Sequence, residues 1–275
     1  MAVKKKLRVG LVGCGAIGSS LARYILSDFR ENARLVGSYD VDRKKTYTLA
    51  KTCKNPGLVA LKLEDLIKRS DLIIEATKID SAFAIAKKVI LGSCNIMVMS
   101  VGGILGHYRE LKKMAQKKGV RIFIPSGAIS GIDGLKAASC GKIKKVTLTT
   151  TKPPEAFAAV GYVLKKKINL DDIRQEKVLF EGSALSALKA FPKNINVCAT
   201  LSLAGIGPKK TRVRIVASNK TSRNIHQVVI ESDSGTMVSR TENVIHPDNP
   251  KTSYLAVLSA VATLKQILDP IKIGT

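Results

Sequence analysis

Three glycines near the start of the chain have the spacing of a phosphate-binding turn. Gly13, Gly15 and Gly18 follow an apolar run in the pattern Gly-x-Gly-x-x-Gly. In such a turn the first glycine reverses the chain, the second lets the backbone approach a pyrophosphate, and the third lets helix and strand pack closely. Backbone N–H groups at the positive end of the following helix then hold the phosphates. We therefore expect Gly13, Gly15, Ala16, Ile17 and Gly18 to bind a dinucleotide.

A carboxylate stands where such a turn requires one. Residues 33–39 predict a second strand, and Asp40 follows it directly. A carboxylate at this place accepts hydrogen bonds from both hydroxyls of an adenosine ribose, which favours NAD. Arg43 and Lys44 come next and offer a partner for the 2′-phosphate of NADP instead. The residues alone leave NAD and NADP both open.

The chain has three histidines, and each is a candidate for moving protons because imidazole titrates near neutral pH. His107 opens a predicted amphipathic helix, where we expect a surface role. His226 begins a predicted strand in the second half of the chain, and His246 lies in a turn-rich stretch. Position in the sequence does not separate His226 from His246.

The elements that must position these residues change character near residue 125. Before it, helices and strands alternate, which predicts an α/β fold, a Rossmann doubly wound parallel sheet. After it come a small-residue loop, helical segments and strands predicted at 146–151, 213–217, 228–231 and 236–239. We predict three parts: an NAD(P)-binding domain over 1–125, a second α+β domain over 126–252, and a C-terminal helix over 253–275 that packs back on the first domain.

The formal net charge of +25 raises nucleic acid and membrane surfaces as partners. The lysines and arginines are scattered, however, aromatic residues make up only 4% of the chain, and no zinc-finger or RNA-binding motif is present. We expect a solvated basic surface that binds neither nucleic acid nor membrane.

Five cysteines lie far apart without a Cys-x-x-Cys pair, so we expect no metal and no disulfide framework. Lysines 4–6 and the apolar run that ends at Cys14 resemble a secretion signal, but the run is too short and too rich in glycine for one. No run reaches the roughly 18 apolar residues of a membrane span. We expect a soluble, cytoplasmic protein.

Eight short blocks of sequence together point to one family. They are Gly13-Cys14-Gly15-Ala16-Ile17-Gly18, Ser126-Gly127-Ala128-Ile129, Gly131-Ile132-Asp133, Thr151-Lys152-Pro153-Pro154, Glu181-Gly182-Ser183-Ala184, Phe191-Pro192-Lys193-Asn194-Ile195-Asn196-Val197, Asn224-Ile225-His226 and Asn249-Pro250-Lys251-Thr252-Ser253. With these blocks the sequence resembles the L-aspartate dehydrogenase family over nearly the whole chain. Many dehydrogenases share the glycine block, whereas the later blocks are more specific.

The resemblance implies oxidative deamination of L-aspartate to iminoaspartate with NAD or NADP, a reaction that feeds NAD biosynthesis. It also implies that the protein is a homodimer. It also implies that His226 is the catalytic histidine and that Ala128 and Asn196 bind the nicotinamide. Their backbone N–H, C=O and side-chain amide can pair with the nicotinamide carboxamide. Asn196 could instead be a helix cap or a core amide.

A dicarboxylate substrate also needs cations, and the sequence does not rank the candidates Lys193, Arg212, Arg223 and Lys251. The block at 249–253 could equally be a turn that caps the last helix.

Two other classes of protein fit the same residues. One is another Rossmann oxidoreductase, of the dihydrodipicolinate reductase or homoserine dehydrogenase type. The other is a cofactor-sensing or nucleic-acid-binding protein without turnover, because a fold alone does not guarantee activity.

Overall fold

The computed structural model describes residues 5–60, 62–192, 195–247 and 249–274, with the backbone only at 249–251. The described chain divides into two compact units. The first unit comprises the residues up to Pro125 together with Val257–Ile273, and the second comprises Ser126–Ala256 together with Gly274. Among these residues, no helix has both the length and the apolar character needed to cross a bilayer.

The first unit contains a parallel sheet of five strands in the order β2-β1-β3-β4-β5. The strands are β1 (Leu7–Val12), β2 (Ala33–Tyr39), β3 (Leu72–Glu75), β4 (Asn95–Val98) and β5 (Ile122–Phe123). All four residues of β3 are buried, as expected for a strand covered on both faces. The predicted Rossmann sheet is confirmed.

Short-range signals mark the start of one helix and the end of another in the first unit. They are α1 (Ala16–Leu26), α2 (Arg43–Thr52), α3 (Leu63–Arg69), α4 (Ile79–Leu91) and α5 (Tyr108–Lys118). The Asp42 side chain accepts the N–H of Lys44 and so caps α2, while Gly119 ends α5 in the left-handed conformation at φ 67°. In α1, Leu21, Ala22 and Ile25 form the buried stripe.

The second unit is built on a mixed sheet in the order β10-β9-β6-β8-β7. Its strands are β6 (Ile143–Lys152), β7 (Glu176–Ser183), β8 (Arg212–Ser218), β9 (Asn224–Ser232) and β10 (Gly235–Asn243). Only β6 and β8 run parallel, and the other neighbours pair antiparallel. This mixed sheet confirms the predicted α+β character of the second half.

Helices and a small hairpin complete the chain. They are α6 (Ile132–Ala138), α7 (Gly161–Lys165), α8 (Ala184–Ala190), α9 (Asn196–Ala204), the hairpin strands β11 (Ile245–His246) and β12 (Asn249–Ser253), and α10 (Tyr254–Leu268).

The structure differs from the sequence predictions at two places. The sequence pattern did not predict β7, because this edge strand has three exposed residues at its start and no clean alternation. The stretch at 249–253 is the strand β12, paired with β11, and not a turn that caps the last helix.

Candidate dinucleotide site and catalytic site

The glycine turn has the geometry that a dinucleotide requires. Gly13 adopts φ +98°, and a Cβ there would lie 2.4 Å from the carbonyl oxygen of Ala76. A Cβ on Gly18 would lie 1.9 Å from the carbonyl oxygen of Gly13. By contrast, nothing lies within 4 Å of a Cβ built on Gly15, which is the N-cap of α1 and makes no side-chain cap. The turn therefore leaves an open approach to the N–H groups of the first helical turn, which a pyrophosphate fits.

Asp40 is tied to this turn by hydrogen bonds. Its Oδ2 accepts the N–H of Cys14 at 2.8 Å, and its Oδ1 accepts the N–H of Asp42 at 2.9 Å. Each carboxylate oxygen keeps a second acceptor position, so a ribose can still donate to it. Arg43 and Lys44, the first residues of α2, are exposed. The carboxylate is thus fixed beside the phosphate-binding turn.

A second carboxylate, which the sequence did not single out, accepts hydrogen bonds from two loops at the same edge of the sheet. Glu75 ends β3 and is fully buried. Its Oε1 accepts the N–H and the hydroxyl of Thr77 at 2.7 and 2.6 Å, and its Oε2 accepts the N–H of Ser100 at 3.0 Å. It therefore fixes the loops that follow β3 and β4, where ligands bind in such sheets. The available signal was an acidic residue at the end of an otherwise apolar strand.

In the second unit, His226 lies on β9 and is only 6% exposed. It stands opposite Thr150 of β6, and its Nδ1 is 2.9 Å from the Thr150 hydroxyl. Burial, and then the charge of Lys152, lower the pKa of His226 from 6.5 to about 3. The imidazole is therefore neutral at neutral pH, with one ring nitrogen held by Thr150.

Lys152 is a half-buried cation that was not among those expected to bind the substrate. It follows Thr150 by two residues on β6, and strand alternation puts both on the same face of the sheet. Burial lowers the pKa of its ammonium from 10.5 to about 8. With Thr150 it lines a small cavity whose other walls include Phe157, Phe191, Ile195 and Cys198. The period-two pattern of β6 was the signal that could have selected it.

The loop that carries Ala128 is fastened to β10. The carbonyl oxygen of Ala128 accepts hydrogen bonds from Thr241 Oγ1 at 3.1 Å and from Asn243 Nδ2 at 3.0 Å. Thr241 stands opposite His226 in the sheet. The structure thus brings Ala128 and His226 together through one residue of β10, with the Ala128 carbonyl already engaged by two donors.

The remaining predicted residues lie in varied surroundings. Asn196 is the first residue of α9 and is exposed, so it is not a core amide. His246 is buried and packs edge-to-face on Tyr254, with ring centroids 5.5 Å apart. His107 stacks on Phe83 in the first unit, with ring centroids 3.7 Å apart.

Of the expected substrate cations, Arg212 and Arg223 are exposed. Lys193 and the Lys251 side chain lie outside the described residues. Within the described part of the chain, no three His, Cys, Asp or Glu side chains gather as a metal site would require.

Comparison with known proteins agrees with this geometry. Residues 13–125 match the family model described as the NAD binding domain of homoserine dehydrogenase, which covers the glycine turn and Asp40. By class, the protein is an NAD(P)-dependent oxidoreductase. Residues 133–267 match the model described as the C-terminal region of aspartate dehydrogenase.

A curated L-aspartate dehydrogenase from Methanococcoides burtonii is 42% identical over 271 residues, covering 98% of this chain and 100% of the relative. The chain therefore belongs to the L-aspartate dehydrogenase family.

Two solved structures extend the comparison. The crystal structure of aspartate dehydrogenase from Thermotoga maritima is 26% identical, with a TM-score of 0.74, and covers 98% of this chain and 100% of that one. A homoserine dehydrogenase from Thiobacillus denitrificans shares the fold at 14% identity, with a TM-score of 0.61. The match covers 96% of this chain and 74% of the homoserine dehydrogenase chain.

The glycine turn predicts opposite outcomes for two similar substitutions. Gly18→Ala places a methyl group against backbone, so we expect the free energy of unfolding to fall by about 1–3 kcal/mol. Gly15→Ala meets nothing in the protein, so stability should stay within about 1 kcal/mol of wild type. Its methyl group nevertheless obstructs the pyrophosphate, and the Kd for NADH should rise at least about tenfold. Denaturant unfolding and NADH fluorescence titration measure the two effects. A Gly15→Ala variant that binds NADH as tightly as wild type would contradict this account of the turn.

Proposed function

We propose that this chain catalyses the NAD(P)-dependent oxidative deamination of L-aspartate to iminoaspartate, which water converts to oxaloacetate and ammonia. The observation that carries the proposal is the buried His226, hydrogen-bonded to Thr150, with the half-buried Lys152 two residues further along the same face of β6. They lie in the unit that matches the aspartate dehydrogenase C-terminal model. A base and a cation on one sheet face suit a substrate that loses a proton and carries carboxylates.

The cofactor is held by Gly13, Gly15, Ala16, Ile17 and Gly18 around its pyrophosphate and by Asp40 at its adenosine ribose. The chemistry that NAD(P) supplies when bound is acceptance of a hydride. Asp40 favours NAD, because a fixed carboxylate accepts the ribose hydroxyls and repels a 2′-phosphate. Ala128 and Asn196 orient the nicotinamide.

His226 moves the proton. When Thr150 Oγ1 accepts the Nδ1 hydrogen, the lone pair of the imidazole is at Nε2. That nitrogen accepts a proton from the substrate ammonium and activates the water that attacks the imine. Thr150 is therefore a positioning residue for His226.

Lys152 couples substrate binding to the strength of this base. Its charge lowers the pKa of His226 in the free protein. A substrate carboxylate beside the ammonium offsets that charge, so the pKa of His226 rises toward its usual range when the dicarboxylate is present. The imidazole then becomes a stronger base where the proton must be removed.

We also propose that the protein works as a homodimer in the cytoplasm and that its product feeds pyridine nucleotide synthesis, as the family resemblance implies. The five cysteines are free thiols, which suits a reducing compartment.

For the dimer, the supporting observation is a row of residues on the sheet face opposite His226. Thr147 of β6 pairs with Val229 of β9, and Val229 pairs with Val238 of β10, which is 63% exposed. A second copy packing on this face would cover the row.

Activity tests the function and the base together. We expect wild type to reduce NAD with L-aspartate, with a lower KM for NAD than for NADP. It should show no comparable rate of NAD reduction with L-homoserine, and no comparable rate of NADH oxidation with dihydrodipicolinate. His226→Ala should lower kcat by roughly 10²–10⁴-fold, because it removes the group that transfers the proton. Its Kd for NADH should stay within about threefold of wild type.

His107→Ala is the matched control, since this imidazole stacks on Phe83 in the first unit, and its kcat should stay within about twofold. No aspartate-dependent NADH from wild type would sink the proposed reaction. Unchanged turnover in His226→Ala would move the proton transfer to another group, with His246 the next to test.

Light scattering on a sizing column tests the dimer. We expect wild type to have twice the chain mass of 29.6 kDa. Val229→Arg should reduce it to the mass of one chain, because a charge buried in an interface is unfavourable. Leu164→Arg changes an exposed apolar residue of α7 away from this face and should leave the dimer intact. A monomeric wild type at micromolar concentration is the result that contradicts the dimer.

A further inference from the structure

One face of β10 holds the loop that contains Ala128. Ser239, Thr241 and Asn243 alternate along the strand, so their side chains point to the same side of the sheet. Ser239 Oγ donates to the carbonyl of Ser130 at 3.1 Å, and the other two donate to the carbonyl of Ala128. These three small polar side chains fix the loop relative to β9 and His226.

The orientation of the Asn243 amide is determined by its surroundings. Asn243 is 3% exposed. Its Nδ2 lies 3.0 Å from the Ala128 carbonyl, 3.3 Å from the Asn224 carbonyl and 3.4 Å from the Thr241 hydroxyl oxygen. Two of these three groups are carbonyls, which only accept hydrogen bonds, so the NH₂ group must face them. The amide oxygen must therefore point the other way.

That amide oxygen has no partner within the described parts of the chain. Among them, Asn243 Oδ1 is the one buried side-chain polar atom without a hydrogen bond. Buried acceptors in folded proteins are nearly always satisfied, and an exception calls for a donor from outside the chain. The donor that satisfies it is a bound water or an N–H or O–H group of a ligand.

The carbonyl of Ala128 cannot serve the ligand in the same way. A peptide carbonyl has two acceptor positions, and Thr241 and Asn243 occupy both. A nicotinamide carboxamide carries an NH₂ group, which needs an acceptor. Beside that carbonyl, Asn243 Oδ1 is a buried side-chain acceptor without a hydrogen bond among the described residues.

We propose that Asn243 is a cofactor-binding residue whose Oδ1 accepts a hydrogen bond from the carboxamide NH₂ of bound NAD(P). The inference rests on the proposed dinucleotide-dependent function and deepens it. Asn243 pairs with Asn224, two residues from His226 on the same strand. An amide anchored there fixes which edge of the nicotinamide ring lies toward the base.

Isothermal titration of the full-length protein with two dinucleotides tests this contact. NAD⁺ has the carboxamide, whereas 3-acetylpyridine adenine dinucleotide keeps the carbonyl but has a methyl group in place of NH₂. Wild type should bind the acetyl analogue roughly 5- to 10-fold more weakly, the effect of one lost hydrogen bond to a buried acceptor. Asn243→Ala should bind both dinucleotides within about twofold of each other.

Thr241→Val is the matched control, because it removes the other donor to the Ala128 carbonyl and leaves Asn243 Oδ1 in place. It should keep most of the wild-type discrimination. Equal binding of both dinucleotides by wild type, or a ratio unchanged in Asn243→Ala, overturns the inference while leaving NAD(P) binding intact. Failure of wild type to bind NAD⁺ at all contradicts the proposed function instead.

Should Asn243→Ala fail to fold, as a thermal melt would reveal, a crystal structure of wild type with NAD⁺ decides. A distance below 3.3 Å between Oδ1 and the carboxamide nitrogen supports the contact. A distance above 4 Å overturns it.

Discussion

The candidate catalytic site depends on one constraint: the ammonium of Lys152 and the imidazole of His226 are held together with little access to solvent. Lys152 and His226 share one face of the sheet, and burial disfavours the charged form of each. The charge of Lys152 further lowers the pKa of His226, so the lysine stays charged near neutral pH while the histidine stays neutral. The folded chain therefore keeps a cation and an uncharged base close together on one face of this sheet.

This arrangement has a consequence for stability in acid. In the unfolded chain His226 binds a proton near pH 6.5, whereas in the folded chain it does so only near pH 3. Between these values the unfolded state binds more protons, so the contribution of His226 to stability is complete above pH 6.5 and is lost as the pH falls toward 3.

The parts of the site differed in how far the sequence could predict them. Gly13, Gly15, Gly18 and Asp40 belong to one βαβ unit, so short-range spacing was enough to predict both the sheet and the turn. His226 stood out by residue type, and the family resemblance favoured it over His246. Lys152 and Asn243 were missed as individual residues, because their importance comes from strand register.

Register depends on which strands become neighbours. Thr150, His226 and Thr241 are far apart in the sequence, yet they form one row across β6, β9 and β10. Sequence alternation predicts which side chains share a face of their own strand, but not which strand lies alongside. The same limit explains why the exposed edge strand β7 was not predicted. Its own residues do not alternate regularly, and only the pairing with β8 identifies it as a strand.

The most direct test of the central claim is the titration of His226 by nitrogen NMR in protein labelled at its three histidines, assigned with the His226→Ala spectrum. In the absence of substrate, the ring nitrogens of His226 should keep the shifts of a neutral imidazole from pH 8 down to pH 4.5. The Lys152→Met variant should bring its pKa closer to the ordinary value, because one of the two causes of the lowered pKa is gone. A wild-type His226 that titrates with a midpoint near 6.5 would contradict the account.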